Sequence, residues 1–170
     1  MKKLFCLFLV ALILASCAPR YALKGTYQET PYAIPLTKTT NDLWLEIMEF
    51  LSQEKIAPKF IKKKKSLIVT DTVSFHEKFT VENTLGKLED STKYIVLPVL
   101  KNSAYLKSAY AHWTIKIQKH KGKTAIVIEL SKVMANYNID NGSQKLVGNK
   151  VSTGEFEKKF QSYLQSKGLL

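Results

Sequence analysis

The stretch HWTIKIQKHKGKTAIVIEL, residues 112–130, decides the fold of this 170-residue chain. Every second side chain is apolar on both sides of a glycine-containing turn at residues 121–123. These apolar positions are Trp113, Ile115 and Ile117 before the turn and Ile126, Ile128 and Leu130 after it. A period of two around such a turn predicts a β-hairpin with one buried face.

Further strands are predicted on the N-terminal side of this hairpin. Phe60-Ile61 and the β-branched residues 67–75 flank four lysines, which predicts a second hairpin that turns through the lysines. Residues 94–100 form a continuous apolar run, typical of a strand covered on both faces. Residues 32–36 predict a short strand that Pro35 confines to the edge or end of a sheet. We expect residues 76–90 to form a loop or a short helical turn.

Two amphipathic helices are predicted, one near each end of the folded part. The first begins at Thr40 or Asn41 and runs to about residue 55, with an apolar stripe at Leu43, Trp44, Ile47, Met48 and Leu51. The second follows Ser152 and Glu155, which have the spacing of a capping box. Its apolar face is Phe156, Phe160, Tyr163 and Leu164, and Gly168 stands where a C-terminal glycine ends a helix.

The order of these elements predicts the fold class. Adjacent strands between two one-faced helices indicate an α+β domain, with a single antiparallel sheet of about five to six strands and both helices on its inner face. Hydrophobic residues make up 45% of the chain and charged residues 24%, as in ordinary globular domains. We expect one domain over residues 30–170.

The first 17 residues predict a lipoprotein leader. Lys2 and Lys3 precede an unbroken apolar run at residues 4–14, which is too short to cross a bilayer as a helix. Leu14-Ala15-Ser16-Cys17 then resembles the bacterial lipobox, which implies cleavage after residue 16 and acylation of Cys17. Residues 17–29 would form a flexible tether. The alternatives are an ordinary signal peptide with a coincidental cysteine, or a short anchor helix.

The lipobox resemblance also implies a location. It implies a bacterial cell envelope, and Ala18 after the cysteine favours the outer membrane. Cys6 leaves with the leader and Cys17 is acylated, so the mature chain has no disulfide. The membrane, reached through the Cys17 anchor, is therefore the first expected partner.

The net charge of +12, or +10 without the two leader lysines, predicts an anionic partner. Lipid head groups, acidic polysaccharide and nucleic acid are all anionic, but export from the cytoplasm would make nucleic acid a less suitable partner. The densest cluster is a candidate contact with an anionic membrane. It consists of Lys62, Lys63, Lys64 and Lys65. The alternative interpretation is a solvated turn, kept polar to prevent edge-to-edge pairing of strands.

The sequence offers no recognisable catalytic or metal-binding pattern. Its histidines, His76, His112 and His120, lack metal-ligand spacing, and no Gly-x-Ser-x-Gly or phosphate-binding glycine loop occurs. We therefore predict no catalytic residue, no metal and no cofactor, and expect a protein that is not an enzyme.

An apolar-ligand carrier is the alternative function, because a sheet curved around a helix can enclose a cavity. Five residues are the candidate lining: Trp44, Met48, Trp113, Phe160 and Tyr163. On this alternative the ligand would be a lipid or another apolar molecule, held between sheet and helix.

Residues 42–75 resemble part of a known group of proteins. A helix with an early Trp44, followed by strand-like segments at 56–61 and 66–70, resembles the unit found in envelope lipoproteins with a helix-grip domain, such as the BamC type. The chain is also similar to a group of Bacteroides-type lipoproteins, through residues 113–117 and the ending 152–158. These resemblances imply a helix-grip-like fold, a non-enzymatic binding or accessory role and other envelope proteins as partners.

Overall fold

The computed structural model describes residues 22–38, 42–99, 105–139, 142–147 and 151–170. Within them, three helices accompany the strands: α1 (Leu43–Gln53), α2 (Phe75–Lys78) and α3 (Glu155–Ser166). The strands in chain order are β1 (Gln28–Glu29), β2 (Tyr32–Pro35), β3 (Pro58–Lys62), β4 (Leu67–Thr70), β5 (Val73–Ser74), β6 (Phe79–Glu82), β7 (Ile95–Pro98), β8 (Tyr105–His120), β9 (Lys123–Ile139), β10 (Gly142–Val147) and β11 (Val151–Ser152). The predicted α+β class is confirmed.

The larger sheet is antiparallel and has seven strands among the described residues. Its order is β10-β9-β8-β4-β3, and β2 and β5 pair in addition with β9 and β8. The predicted hairpin at residues 112–130 is its centre, although β8 and β9 extend far beyond that stretch. Lys121 and Gly122 have φ values of 48° and 81°, as a two-residue hairpin turn with primed geometry requires.

Both long helices pack through aromatic side chains into one core with the larger sheet. Phe50 of α1 stacks on Phe160 of α3, with ring centroids 4.5 Å apart. Phe156 of α3 stacks on Trp113 of β8 at 4.6 Å. These contacts bury the apolar faces that the sequence predicts for both helices. The predicted first turn of α1, at Thr40 and Asn41, lies outside the described residues.

The predicted capping box at the start of α3 is wrong. The N-cap is Gly154, whose φ of 88° lies in the left-handed region. Ser152 Oγ accepts a hydrogen bond from the Gly154 N–H at 3.0 Å, and Thr153 Oγ1 accepts one from the Glu155 N–H at 3.3 Å. The left-handed glycine moves the helix start past Ser152. At the other end, Gly168 has a φ of 68° just beyond the helix, as predicted.

A second, smaller sheet makes the prediction of a single sheet wrong. Its order is β1-β11-β7-β6, and β6 and β7 are parallel. Strand β6 lies where a loop or short helical turn was expected. Its four residues alternate apolar and polar in sequence, but this is a short stretch and the burial does not follow it: the polar Thr80 and Glu82 are buried together with Phe79.

The N-terminal segment is attached to the smaller sheet through Glu82. The carboxylate of Glu82 accepts hydrogen bonds from the Lys24 N–H at 2.7 Å, the Gly25 N–H at 2.9 Å and the Tyr27 hydroxyl. Residues 28 and 29 then pair with β11 as β1. Contact with the domain therefore begins at Lys24, whereas the sequence places the tether as far as residue 29.

None of the helices in the described part of the chain is long and apolar enough to cross a bilayer.

Candidate functional site

The predicted membrane contact lies on an exposed turn at one end of the larger sheet. Lys63–Lys65 form a 3-10 turn between β3 and β4, and all four lysines, Lys62 included, are exposed. Ser66 ends the turn in the left-handed conformation, with φ 48° and ψ 47°. An open cleft of about 490 Å³ is lined by Ile61 and these four lysines. The predicted lipidation site, Cys17, lies outside the described residues.

The turn between β8 and β9 lies beside the lysine turn. Leu67, the first residue of β4, pairs with Lys116 of β8. The Ile117 N–H donates to the Ser66 carbonyl at 3.0 Å. Three further exposed lysines, Lys119, Lys121 and Lys123, therefore extend from the same end of the sheet. We call residues 59–68 and 116–124 together the basic tip.

The basic tip has a single sign of charge. Its two segments contain nine lysines, one histidine and no Asp or Glu. In the sequence only the run 62–65 forms an uninterrupted cluster, because His120 and Gly122 interrupt the lysines of the second turn. The register between β4 and β8 brings the two groups together, although they are more than fifty positions apart in the chain.

Apolar side chains are exposed next to these lysines. Phe60 and Ile61, on the edge strand β3, are 40% and 38% exposed. The Lys62 ammonium lies 5.1 Å from the centroid of the Phe60 ring, in a cation–π contact. Pro58 and the lysines flanking this pair keep the edge strand from pairing with another chain. The tip can therefore contact both a negative charge and an apolar phase.

The N-terminal segment meets the domain at the opposite end of the sheet. Glu82, which holds Lys24 and Gly25, lies beside Pro98 in the register of β6 and β7. The Pro98 carbonyl accepts a hydrogen bond from the Tyr137 hydroxyl at 3.0 Å. Tyr137 pairs with Leu106 near the start of the 16-residue strand β8. The basic tip lies at the far end of β8, roughly 40 Å away along the strand.

The five residues predicted to line an apolar cavity belong to the packed core or lie against it. Trp113 and Phe160 are fully buried, and Trp44, Met48 and Tyr163 are half-buried against the core. Phe50 lies between Phe160 and Tyr163, with ring centroids 4.5 Å and 5.5 Å away. Rings of α1, α3 and β8 are therefore in direct contact with one another where the predicted ligand would lie.

Met48 lines another surface cleft in the described part of the chain. That cleft, of about 480 Å³, lies between the end of α1 and the start of β3. It is lined by Met48, Ser52, Lys55, Ile56, Ala57 and Pro58. Neither this cleft nor the one at the lysine turn is lined by a carboxylate, an imidazole or a thiol. The charged groups that line these two clefts are lysine ammonium groups, which can bind an anion.

A cluster of ionisable groups joins four elements around the end of α1. The Tyr94 hydroxyl donates to the carboxylate of Glu54, and the Lys159 ammonium lies 2.8 Å from the Tyr94 oxygen. The Lys78 ammonium donates to the Glu54 carbonyl at 2.8 Å. Burial lowers the pKa of Lys78, and burial together with the hydrogen bond to Glu54 raises the pKa of Tyr94. The cluster connects the ends of α1 and α2 with β7 and α3.

The carboxyl group of Glu157 is buried at the start of α3. Glu157 is 1% exposed, and its Oε2 atom lies 2.7 Å from the Ser152 hydroxyl oxygen. Its Oε1 atom has no hydrogen-bond partner, and the same is true of the buried Trp113 Nε1 atom. Burial raises the pKa of Glu157, although the hydrogen bond from Ser152 opposes this shift. The site is enclosed and has the character of a core position.

The histidines lie apart from one another. His112 is buried, with Nδ1 3.1 Å from the Thr70 carbonyl oxygen, and His76 and His120 are exposed. Among the described residues, no group of three metal-ligating side chains comes together.

No protein-family model matches the chain, and no curated protein matches it.

Proposed function

We propose that this chain is a bacterial envelope lipoprotein, held to the outer membrane by acyl chains on Cys17, whose domain acts as a non-enzymatic binding or accessory module. One observation carries the proposal. A basic start, an 11-residue apolar run and Leu-Ala-Ser-Cys follow one another in the order that lipoprotein export requires. The Bacteroides-type and helix-grip resemblances support the same proposal.

The attachment of the N-terminal segment supports an anchor close to the domain. Cys17 and Lys24, where contact with Glu82 begins, are seven positions apart in the chain. A chain of this length spans at most about 25 Å when fully extended. An acylated Cys17 would therefore hold the domain next to the bilayer.

The binding role is supported by the surface of the domain. The two segments of the basic tip contain nine lysines and no Asp or Glu, and the two clefts described above are lined by no carboxylate or imidazole. This chemistry favours recognition of an anionic partner over catalysis.

We also propose that the larger sheet and its two long helices form a helix-grip-like unit. The contacts of Trp113 with Phe156 and of Phe50 with Phe160 support this proposal, because they bring the sheet and both helices into one core. The alternative role, a carrier with a ligand between sheet and helix, has less support because aromatic rings of the sheet and of both helices are in direct contact there.

Cell fractionation of a Cys17→Ser variant tests the anchor. We expect the wild-type protein in the membrane pellet and the variant in the soluble fraction, because the variant lacks the thioether acyl chains. Labelling with radioactive palmitate should mark the wild type only. Cys6→Ser is the matched control, since Cys6 lies in the leader and its replacement should leave both results unchanged. A Cys17→Ser protein that stays in the pellet after a high-salt wash would contradict the proposal.

A further inference from the structure

We propose that the basic tip binds the anionic head groups of a phospholipid surface, with Phe60 and Ile61 entering the boundary between head groups and acyl chains. The inference deepens the proposed function by naming a second membrane contact. It rests on that function only for the position of the protein beside a bilayer.

The first step is the charge that the fold gathers. Eight exposed lysines belong to the tip: Lys59, Lys62, Lys63, Lys64, Lys65, Lys119, Lys121 and Lys123. A lysine near an anionic bilayer raises the binding constant about five-fold, and this gain falls as salt screens the charges. The run at residues 62–65 is thus only half of the exposed charge available to the contact.

The second step is the apolar surface beside the charge. Phe60 and Ile61 are adjacent in a strand, so they extend from opposite faces of β3. Each remains more than a third exposed at the edge of the sheet. A strand edge of this kind can bury side chains on both faces when it enters a lipid interface. A soluble polyanion would neutralise the lysines but would leave Phe60 and Ile61 in water, so the combination favours lipid.

The third step is the position of the tip relative to the tether. The tip and the attachment of residues 24–27 lie at opposite ends of β8. A tether of at most about 25 Å allows both ends to touch one bilayer when the domain lies lengthwise on it. The acyl anchor and the basic tip then form two separate contacts, and weak membrane signals commonly act in pairs.

Vesicle sedimentation of the Cys17→Ser chain tests the inference without the acyl anchor. The probes are phosphatidylcholine vesicles with and without phosphatidylglycerol, at low and high salt. We expect binding only to the anionic vesicles, with a strong decrease in high salt. All variants share the same N-terminus, so differences in vesicle binding between them reflect the contribution of the basic tip. Release of Cys17→Ser from cells is a separate result, and either proposal can fail without the other.

A pair of triple variants separates position from net charge. Lys119→Gln/Lys121→Gln/Lys123→Gln should weaken binding by at least about ten-fold. Lys87→Gln/Lys107→Gln/Lys132→Gln removes the same charge from three exposed lysines outside the tip, and should bind as the parent does. Lys121 and Lys132 both have positive φ, so the two sets are also matched in backbone conformation. An equal loss in both sets would overturn the inference.

A Phe60→Ser variant separates lipid from a soluble polymer. We expect it to bind anionic vesicles several-fold more weakly and to bind dextran sulfate as the parent does. Vesicle binding that does not depend on Phe60, together with equally tight binding of dextran sulfate, would assign the tip to an anionic polymer and overturn the inference. So would a failure of the parent to bind anionic vesicles.

Discussion

Ile117 donates its backbone N–H to the carbonyl oxygen of Ser66 at 3.0 Å. This bond lies where β4 begins its pairing with β8, and it places the 3-10 turn of β3–β4 beside the turn of β8–β9. Neither turn is unusual alone. The two segments that carry these turns contain nine lysines and no Asp or Glu, and the proposed lipid contact depends on this juxtaposition.

We expect Ser66→Gly to stabilise the protein. Ser66 adopts φ 48°, where an L-residue with a Cβ atom is disfavoured by roughly 1–2 kcal/mol. Glycine removes that strain but has a more flexible unfolded state, so the free energy of unfolding should rise by about 0.5–1 kcal/mol. Urea denaturation measures the change. Ser74→Gly, at an exposed position of β5, should instead lower stability, and a loss of stability in Ser66→Gly would contradict this explanation of the turn.

We expect Trp113→Ala to lower the free energy of unfolding by roughly 3–5 kcal/mol, because the substitution opens a cavity in a packed core. Trp113 is fully buried and stacks on Phe156. Trp44→Ala, at a half-buried position, should cost distinctly less. Thermal or urea denaturation of both variants gives the comparison. If the Trp113 indole instead lined an empty pocket, the two substitutions would lower the free energy of unfolding by similar amounts.

The stability contribution of Glu157 should depend on pH. Burial raises the pKa of this carboxyl group in the folded state above its ordinary value of 4.5. The folded state then holds the proton more tightly than the unfolded chain, so stability falls as the pH rises from about that value towards the folded pKa. Glu157→Gln removes the titration and should flatten this part of the curve of unfolding free energy against pH.

The matched control for Glu157 is Glu155→Gln, on the same helix. Glu155 forms a surface ion pair with Lys158 at 3.0 Å, and such pairs contribute little to stability. Its replacement should therefore leave the slope of unfolding free energy against pH nearly as in the wild type. Equal slopes in the wild type and Glu157→Gln would show that the buried carboxyl group does not titrate as expected.

Glu82→Gln should loosen the N-terminal segment. Burial alone would raise the pKa of Glu82, but hydrogen bonds from Tyr27, Lys24 and Gly25 outweigh it and hold the pKa below its ordinary value. The attachment is therefore strongest above that ordinary pKa and weakens as the pH falls through the lowered one. An amide side chain has one acceptor oxygen and cannot accept all three bonds.

Limited trypsin digestion measures this loosening. We expect cleavage after Lys24 to be faster in Glu82→Gln than in the wild type. In the wild type, we expect an acid-tolerant protease to cleave the N-terminal segment faster at acidic pH than at neutral pH. Glu89→Gln, an exposed position in the loop after β6, should cleave as the wild type does. Unchanged protection of Lys24 in Glu82→Gln would show that Glu82 does not hold the segment.

The sequence by itself determined the elements whose patterns are local. The period of two and a turn glycine predict the β8–β9 hairpin, a period of 3.6 predicts the apolar faces of α1 and α3, and Gly168 predicts the end of α3. The lysine run correctly indicates a turn between two strands. These features succeed because the residues that decide them lie within one or two turns of each other in the chain.

Only the tertiary structure decided which distant segments meet. The parallel pairing of β6 with β7, the attachment of Lys24 to Glu82 and the joining of two lysine turns at one tip all depend on contacts between residues far apart in sequence. Strand β6 alternates apolar and polar residues over only four positions, and it buries the polar Thr80 and Glu82, so its local pattern is too short to predict which strand it pairs with. Strand register is set by packing of the whole sheet, and for that reason the candidate site appears only once the chain is folded.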